Sequence, residues 1–162
     1  MNSGLDDPRV DGRDGAHPRA GRMLDVGDTH RLQVPLRWGD SDSLNHVNNT
    51  LYFRLMEEAR MQILYGAGMK LPDDHGFILA HASCDFLRPL TYPANVRVTH
   101  AVARIGRSSL EFEVTLEKVG DEAGAYARGR NILVWMDYVN NRSQPWTAEV
   151  LGRLGGVFTP AA

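Results

Sequence analysis

Residues 37–60 read RWGDSDSLNHVNNTLYFRLMEEAR, and this stretch decides the fold. Its first half is rich in Asp, Ser and Asn, which form turns and cap helices. Its second half has apolar residues at helical spacing, and these predict a helix over about 48–65. The apolar positions cover more than one stripe of that helix. We therefore expect the helix to be buried on most of its sides.

On both sides of this helix the apolar pattern changes to a period of two, which predicts β-strands. The predicted strands cover residues 30–38, 77–88, 96–105, 108–119 and 125–138. A short C-terminal helix is predicted over 146–154. This order of elements favours an α+β fold in which a five-stranded antiparallel sheet wraps around one long central helix. One helix cannot cover both faces of such a sheet, so we expect the other face or a sheet edge to pair with a second copy.

The composition is typical of one globular domain, with 162 residues, 43% hydrophobic and 23% charged, and a formal net charge of −2. The balanced charge argues against nucleic acid as a partner, and no apolar run is long enough to cross a membrane. Residues 1–28 hold four Arg and six Asp and show no periodicity, so we expect a flexible N-terminal tail and a single domain over 29–162. The one cysteine, Cys84, cannot form an internal disulfide and favours a reducing cytoplasm.

Two carboxylates, Asp40 and Asp42, and the imidazole of His46 lie where the first strand meets the helix. The first turn of a helix presents N–H groups without partners, which can stabilise an oxyanion. A carboxylate beside such a site can attack a carbonyl carbon or activate a water molecule. The same residues also suit two plainer roles, as turn and cap residues or as ligands of a divalent cation.

Other kinds of site fit the sequence less well. A calcium loop of the EF-hand type has Gly at its sixth position and Glu at its twelfth, where this chain has Asn45 and Leu51, so we expect no metal. The sequence contains no serine nucleophile elbow, phosphate-binding loop or dinucleotide fingerprint. Cys84 lies three residues from His81, so in a strand their side chains point to opposite faces and do not form a catalytic pair.

With R-W-G-D-S-D-S-L-N-H-V-N-N-T-L-Y-F followed by E-E-A-R, the chain resembles the 4-hydroxybenzoyl-CoA thioesterase-like branch of the hotdog superfamily. The likeness is close over residues 31–60 and looser to about residue 140. It implies an acyl-CoA thioesterase with the hotdog fold and no cofactor, since CoA is part of the substrate. It also implies a homodimer whose sheets join edge to edge, often assembled into a homotetramer. The active sites would lie at the dimer interface, with CoA lying across the protein surface.

The resemblance also implies a role for each residue of the motif. Asp42 matches the catalytic carboxylate, which acts either as the nucleophile or as the general base. Asn49 matches the position whose backbone N–H polarises the thioester carbonyl. His46 and Asn48 fit a His-Val-Asn-Asn version of the motif, in which His46 orients the substrate or caps the helix. Tyr52 also matches, either as a substrate contact or as a core residue.

Further candidates lie outside this motif. The turn Arg107-Ser108-Ser109 matches the place where relatives contact the CoA phosphates or pantetheine. Arg88 is a second candidate for a phosphate contact, whereas Glu57 and Glu58 fit structural roles. Asn45 stands where most members have Gly, a departure that Asn tolerates because it accepts a positive φ better than most residues.

Two functions of different classes fit these residues. The first is hydrolysis of an acyl-CoA thioester to a free acid and CoA. The alternative is a hotdog protein that binds an acyl thioester or another small ligand without hydrolysing it, or that serves as a structural dimer. A dehydratase or hydratase of the same fold is a third reading, but those relatives use a His and an acid in a motif that this chain lacks. The sequence leaves the acyl group undetermined.

Overall fold

The computed structural model describes residues 22–162, which form one antiparallel sheet, two α-helices and a short 3-10 turn. The strands are β1 (Thr29–Pro35), β2 (His75–Phe86), β3 (Asn95–Ile105), β4 (Ser109–Lys118), β5 (Ala127–Asp137) and β6 (Arg142–Ser143). The helices are α1 (Asn49–Gly66) and α2 (Ala148–Gly155), and the 3-10 turn is Trp38–Asp40. No helix in this part of the chain is long and apolar enough to span a membrane.

The sheet has the strand order β1-β3-β4-β5-β2, with β6 paired to the end of β5, and every pairing is antiparallel. The α+β class and the five predicted strands are confirmed, and the short helix predicted over 146–154 is found as α2, but the sheet also has a sixth strand. The sixth strand escaped prediction because it has only two residues. It follows a tight turn at Asn141, whose φ is 49°.

The helix α1 packs against one face of the sheet, which we call the inner face. Its buried residues are Tyr52, Leu55, Met56, Ala59, Arg60, Ile63 and Leu64. Alternate residues of β4 are buried opposite them, namely Leu110, Phe112, Val114 and Leu116. Period-two burial in the strand and helical spacing in α1 are the patterns from which these elements were predicted.

Residues 22–28 belong to the packed body, so the predicted tail is wrong for this part of it. Leu24 is buried, and its N–H donates to Leu151 O at 3.1 Å. Arg22 forms a salt bridge with Asp28 at 2.8 Å. The segment has no periodicity because it is held by contacts with distant residues rather than by a regular element. Residues 1–21, the remainder of the predicted tail, lie outside the described residues.

The strand β2 forms one edge of the sheet, and along its length it is paired only to β5 within residues 22–162. Nine of its twelve residues are exposed, among them the large apolar residues Ile78, Leu79 and Phe86. A long, apolar, unpaired edge is a surface that soluble proteins normally cover. This edge is the place where the expected pairing with a second copy fits best.

Arg60, His100 and Asn131 are among the polar side chains that are buried in the protein. Arg60 donates from Nη1 to Asn131 Oδ1 at 2.7 Å. His100 is fully buried, and neither of its ring nitrogens has a hydrogen-bond partner. Burial, with a smaller contribution from the charge of Arg60, lowers the pKa of His100 to about 3. Folding therefore holds this imidazole in its neutral form.

We expect this buried imidazole to make the protein sensitive to acid. The unfolded chain takes up a proton on His100 below its ordinary pKa of 6.5, whereas the folded chain does not. Stability should therefore fall as the pH drops from about 6.5 towards 3, by about 1.4 kcal/mol per pH unit for this one group. Chemical denaturation at several pH values measures that slope. The variant His100→Leu cannot take up the proton and should show a shallower slope, and equal slopes in the two proteins would contradict the prediction.

Candidate active site

A short loop between β1 and α1 carries most of the predicted site residues. An isolated bridge between Ser41 and Val47 closes the loop, and the N–H of Asp42 donates to His46 O at 2.7 Å. Asn45 has a φ of 56°, in the left-handed region that favours Gly and that Asn tolerates better than most residues. The Asn at this position is therefore compatible with the turn.

The carboxylate of Asp42 is exposed and held in one orientation by its own turn. Its Oδ1 accepts hydrogen bonds from the backbone N–H groups of Leu44 at 2.8 Å and His46 at 3.1 Å. Its Oδ2 has no hydrogen-bond partner among the described residues. The neighbouring carboxylate of Asp40 instead accepts the N–H of Arg37 at 2.7 Å, so it stabilises the 3-10 turn.

The N-terminus of α1 follows directly. Asn48 is the N-cap, and its Oδ1 accepts hydrogen bonds from Thr50 N at 2.9 Å and Thr50 Oγ1 at 2.8 Å. Asn49 is the first residue of the helix and is exposed. Its N–H belongs to the first turn, where backbone donors have no acceptor inside the helix and the helix dipole adds partial positive charge. This end of α1 can therefore stabilise negative charge on a bound oxygen.

A cavity of about 200 Å³ opens beside this helix end, and we call it the helix-end cavity. It is lined by His46, Asn49 and Tyr52 from the loop and α1, and by residues 86–89 at the end of β2. The fold thus brings three of the predicted site residues to one opening. Asp42 belongs to the same turn as His46 but is not part of the lining.

Tyr52 has a packing role that is visible in its contacts. Only 2% of its surface is exposed, and its ring packs edge-on against Phe86 with the centroids 5.0 Å apart. Its hydroxyl oxygen accepts the N–H of Leu90 at 3.3 Å, and burial raises its pKa. Tyr52 therefore shapes the wall of the helix-end cavity while belonging to the core.

Arg88 also lines this cavity, but its guanidinium is already occupied. It forms a salt bridge with Asp121 at 2.6 Å and lies 4.0 Å from the ring centroid of Tyr126. The hydroxyl of Tyr126 donates to the same carboxylate at 2.6 Å. These hydrogen bonds, that of Tyr126 first, lower the pKa of Asp121 to about 2. Arg88 therefore ties the end of β2 to the turn between β4 and β5, which weakens its candidacy as a phosphate ligand.

The turn Arg107-Ser108-Ser109 lies at the far end of the sheet from Asn49. It follows the last residue of β3, whose first residue, Asn95, pairs with Pro35 near the start of the site loop. A strand of 11 residues spans about 35 Å. Within one chain, the predicted CoA-binding turn and the helix end are therefore not brought together. Arg107 is exposed, while its carbonyl accepts the backbone N–H of Trp146 at 3.1 Å.

A second cavity, of about 320 Å³, lies at this far end, and we call it the distal cavity. Residues from the α1–β2 loop, β2, β5 and α2 line it, among them Met69, Lys70, Leu71, His75, Trp135 and Val150. No sequence motif marks this cavity, because its residues come from segments far apart in the chain. Within residues 22–162, no group of three or more His, Cys, Asp or Glu side chains is placed to hold a metal ion.

Comparison with known proteins identifies the family. The profile of the Thioesterase-like superfamily matches residues 36–154. The chain belongs to this superfamily. It is therefore a thioester hydrolase by family. The family predicted from its resemblance over residues 37–60 is confirmed. The superfamily match begins just before the site loop and ends within α2, so it includes both cavities.

Solved structures of other proteins share the fold. The PA2801 protein of Pseudomonas aeruginosa, for which thioesterase activity has been proposed, is 39% identical with a TM-score of 0.70, covering 73% of this chain and 92% of its own. A proposed acyl-CoA thioesterase from Xanthomonas campestris is 32% identical with a TM-score of 0.62, covering 72% of this chain and 95% of its own. A 1,4-dihydroxy-2-naphthoyl-CoA thioesterase from Synechocystis shares the fold at 17% identity, with a TM-score of 0.70 and coverage of 78% and 95%.

Proposed function

We propose that the protein hydrolyses an acyl-CoA thioester to a free acid and CoA, with Asp42 as the catalytic carboxylate. One observation carries the proposal. In a chain of the thioesterase-like superfamily, an exposed carboxylate with one free oxygen lies in the turn that leads into an open helix N-terminus. The carboxylate supplies the attacking or proton-accepting oxygen, and the helix end supplies the stabilisation of the oxyanion.

The reaction then proceeds in two steps. The carbonyl oxygen of the thioester accepts the N–H of Asn49, which makes the carbonyl carbon more electrophilic. Asp42 either attacks that carbon, expelling the CoA thiolate and leaving an acyl-aspartyl anhydride that water cleaves, or it takes a proton from the water that attacks. In the second case the tetrahedral intermediate expels the thiolate, and Asp42 returns the proton to it. Both routes end in the acid and CoA, and both need the free Oδ2.

A homodimer joined through β2 would bring together site residues that lie far apart within one chain, namely the Arg107 turn and the helix-end cavity. A twofold axis perpendicular to the sheet would pair two β2 strands antiparallel, with both inner faces on the same side. The end of β2 at Phe86 would then lie beside the partner's β2 end at His75. The partner's turn at Arg107 lies two strands away from that end, so it would approach the helix-end cavity. The partner's Arg107 is then available for a CoA phosphate.

Further assembly and location belong to the same proposal. The outer face of the sheet carries ion pairs between neighbouring strands, such as Arg97 with Glu117 at 3.7 Å, and offers a surface for pairing dimers into a homotetramer. Cys84, the single cysteine of the chain, is free, which suits a reducing cytoplasm.

Release of free CoA from a panel of acyl-CoA thioesters tests the proposed function. Short, long and aromatic acyl groups are incubated with the purified protein, and the thiol is measured with a thiol reagent. We expect release from at least one class at a rate well above the spontaneous rate. If no acyl group is released while one of the thioesters binds, the binding-protein alternative replaces the enzyme.

A further inference from the structure

The distal cavity is a small, largely apolar space with polar groups at its rim. Its walls include Trp135 of β5, Met69 of the α1–β2 loop and Val150 of α2. Its volume of about 320 Å³ is at the lower end of the range for small-molecule sites, roughly 300–1,000 Å³. A space of this size and lining fits a short acyl chain better than the large, charged nucleotide of CoA.

Three polar side chains at the rim can donate hydrogen bonds, namely Lys70, His75 and Arg153. Lys70 makes no salt bridge with a carboxylate within residues 22–162, whereas Arg153 is paired with Glu149. The Nδ1 of His75 lies 2.9 Å from the amide Nε2 of Gln144. An amide nitrogen only donates, so Nδ1 is the acceptor and the ring proton is on Nε2. The cavity therefore has an ammonium group and a ring N–H that are both free to donate.

One carboxylate, that of Asp73, also lines the cavity. The Oδ1 of Asp73 accepts the N–H of Asp74 at 2.7 Å. The charge of Asp73 remains, so the rim carries this carboxylate together with the ammonium of Lys70 and the guanidinium of Arg153, which is already paired with Glu149. A carboxylate is a small group that can accept hydrogen bonds from an ammonium and a ring N–H together.

The position of the cavity relates it to the proposed reaction. His75 is the first residue of β2, and the helix-end cavity lies at the last residue, Phe86. Antiparallel pairing of two β2 strands would bring the distal cavity of one protomer next to the helix-end cavity of the other, on the same inner face. The side chains of His75 and Phe86 both lie on this face, since their partners in β5 are Asp137 and Ala127.

We propose that the distal cavity of the partner holds the acyl group of the substrate, and that Lys70 and His75 select a short acyl chain ending in a carboxylate. This inference rests on the proposed function and names its substrate class. The thioester carbon lies at Asn49 of one protomer, the methylene groups contact Trp135 of the other, and the terminal carboxylate accepts hydrogen bonds from Lys70 Nζ and His75 Nε2.

Two thioesters of equal chain length test the selection. Glutaryl-CoA and pentanoyl-CoA both have five-carbon acyl groups, but only the first ends in a carboxylate. We expect the wild-type enzyme to favour glutaryl-CoA by kcat/KM. The double variant Lys70→Met/His75→Leu loses both donors and keeps similar side-chain volumes, so its kcat/KM for glutaryl-CoA should fall about a hundredfold, about tenfold for each donor. Its kcat/KM for pentanoyl-CoA should stay within about threefold of wild type.

Heterodimers test whether the cavity acts across the interface. The Asp42→Asn chain and the Lys70→Met/His75→Leu chain carry different affinity tags, are produced together and are purified on both tags. If the partner supplies the cavity, one of the two sites combines an intact Asp42 with an intact cavity, so glutaryl-CoA hydrolysis should return to about half of wild type. If each chain used its own cavity, no intact site would form and activity would stay near about 1%.

The outcomes separate this inference from the proposed function. Hydrolysis of pentanoyl-CoA with no preference for glutaryl-CoA would overturn the substrate class and leave the thioesterase intact. A glutaryl-CoA preference without recovery in the heterodimer would overturn the placement of the cavity in the partner. Absence of hydrolysis for every thioester would overturn both the proposed function and the inference that rests on it.

Discussion

The substitution Asp42→Asn is expected to lower kcat for thioester hydrolysis by about a thousandfold or more, the scale of losing a catalytic carboxylate. The amide oxygen of Asn can still accept the N–H groups of Leu44 and His46, which hold the turn in the wild-type protein. The amide cannot attack a carbonyl carbon or take a proton from water. Steady-state kinetics with the best thioester of the panel measures the effect, and calorimetry with a non-hydrolysable CoA analogue shows whether binding is retained.

Asp40→Asn is the matched control for this experiment. Asp40 carries the same group two residues earlier, and its Oδ2 accepts the N–H of Arg37. Its variant removes one carboxylate from the same loop with the same change of atoms. We expect kcat within about threefold of wild type and a melting temperature only slightly lower, because an amide oxygen can replace that hydrogen bond. Equal losses in the two variants would move the catalytic role away from Asp42, and full activity of Asp42→Asn would remove it.

Leu79→Lys is expected to split the dimer and to abolish hydrolysis with it. Leu79 lies near the middle of β2, pairs with Leu133 on the inner face, and is 44% exposed in the single chain. An inward-pointing charge on an edge strand prevents pairing with another edge, because the interface would bury an ammonium group. Analytical ultracentrifugation should give the mass of one chain, and kcat/KM should fall at least about a hundredfold, because each site loses the residues of its partner.

The variant Val26→Lys makes the same change on another exposed apolar residue. Val26 is 54% exposed and lies in the segment that packs near β3, away from β2. We expect this variant to remain dimeric and active, and circular dichroism should show folded protein for both variants. A dimeric Leu79→Lys protein would place the interface elsewhere. A monomeric one with full activity would show that a single chain contains the whole site.

The helix and the turn within and next to residues 37–60 could be predicted from the sequence, because the interactions that form them are local. The helix predicted over 48–65 is found at Asn49–Gly66, since its apolar spacing and the cap at Asn48 lie within the same short segment. The turn that orients Asp42 is also local, because its hydrogen bonds join residues at most four positions apart. Such contacts need no information about the rest of the chain.

Two predictions from the sequence, the boundary of the N-terminal tail and the role of Arg88, depended on contacts with residues far away in the chain. The packing of residues 22–28 depends on α2 and β3, so the absence of periodicity in that segment misled the placement of the tail boundary. Judged from the sequence, Arg88 could bind a phosphate. In the structure its guanidinium donates hydrogen bonds to Asp121 and Tyr126, which lie more than 30 positions later in the chain. Both cases depend on contacts between residues that are far apart in the sequence, so a local sequence pattern does not reveal them.

The sequence by itself determined the class of the protein, the helix, the principal strands and the turn that carries Asp42 just before that helix, because periodicity and capping are properties of neighbouring residues. Only the tertiary structure decided which residues share a cavity. The sheet order β1-β3-β4-β5-β2 leaves β2 exposed at the edge and carries Arg107 to the far end from the helix N-terminus. It also gathers Lys70, His75 and Trp135 around one space. These placements depend on strand pairing between residues far apart in the chain, which the local pattern of each strand does not specify.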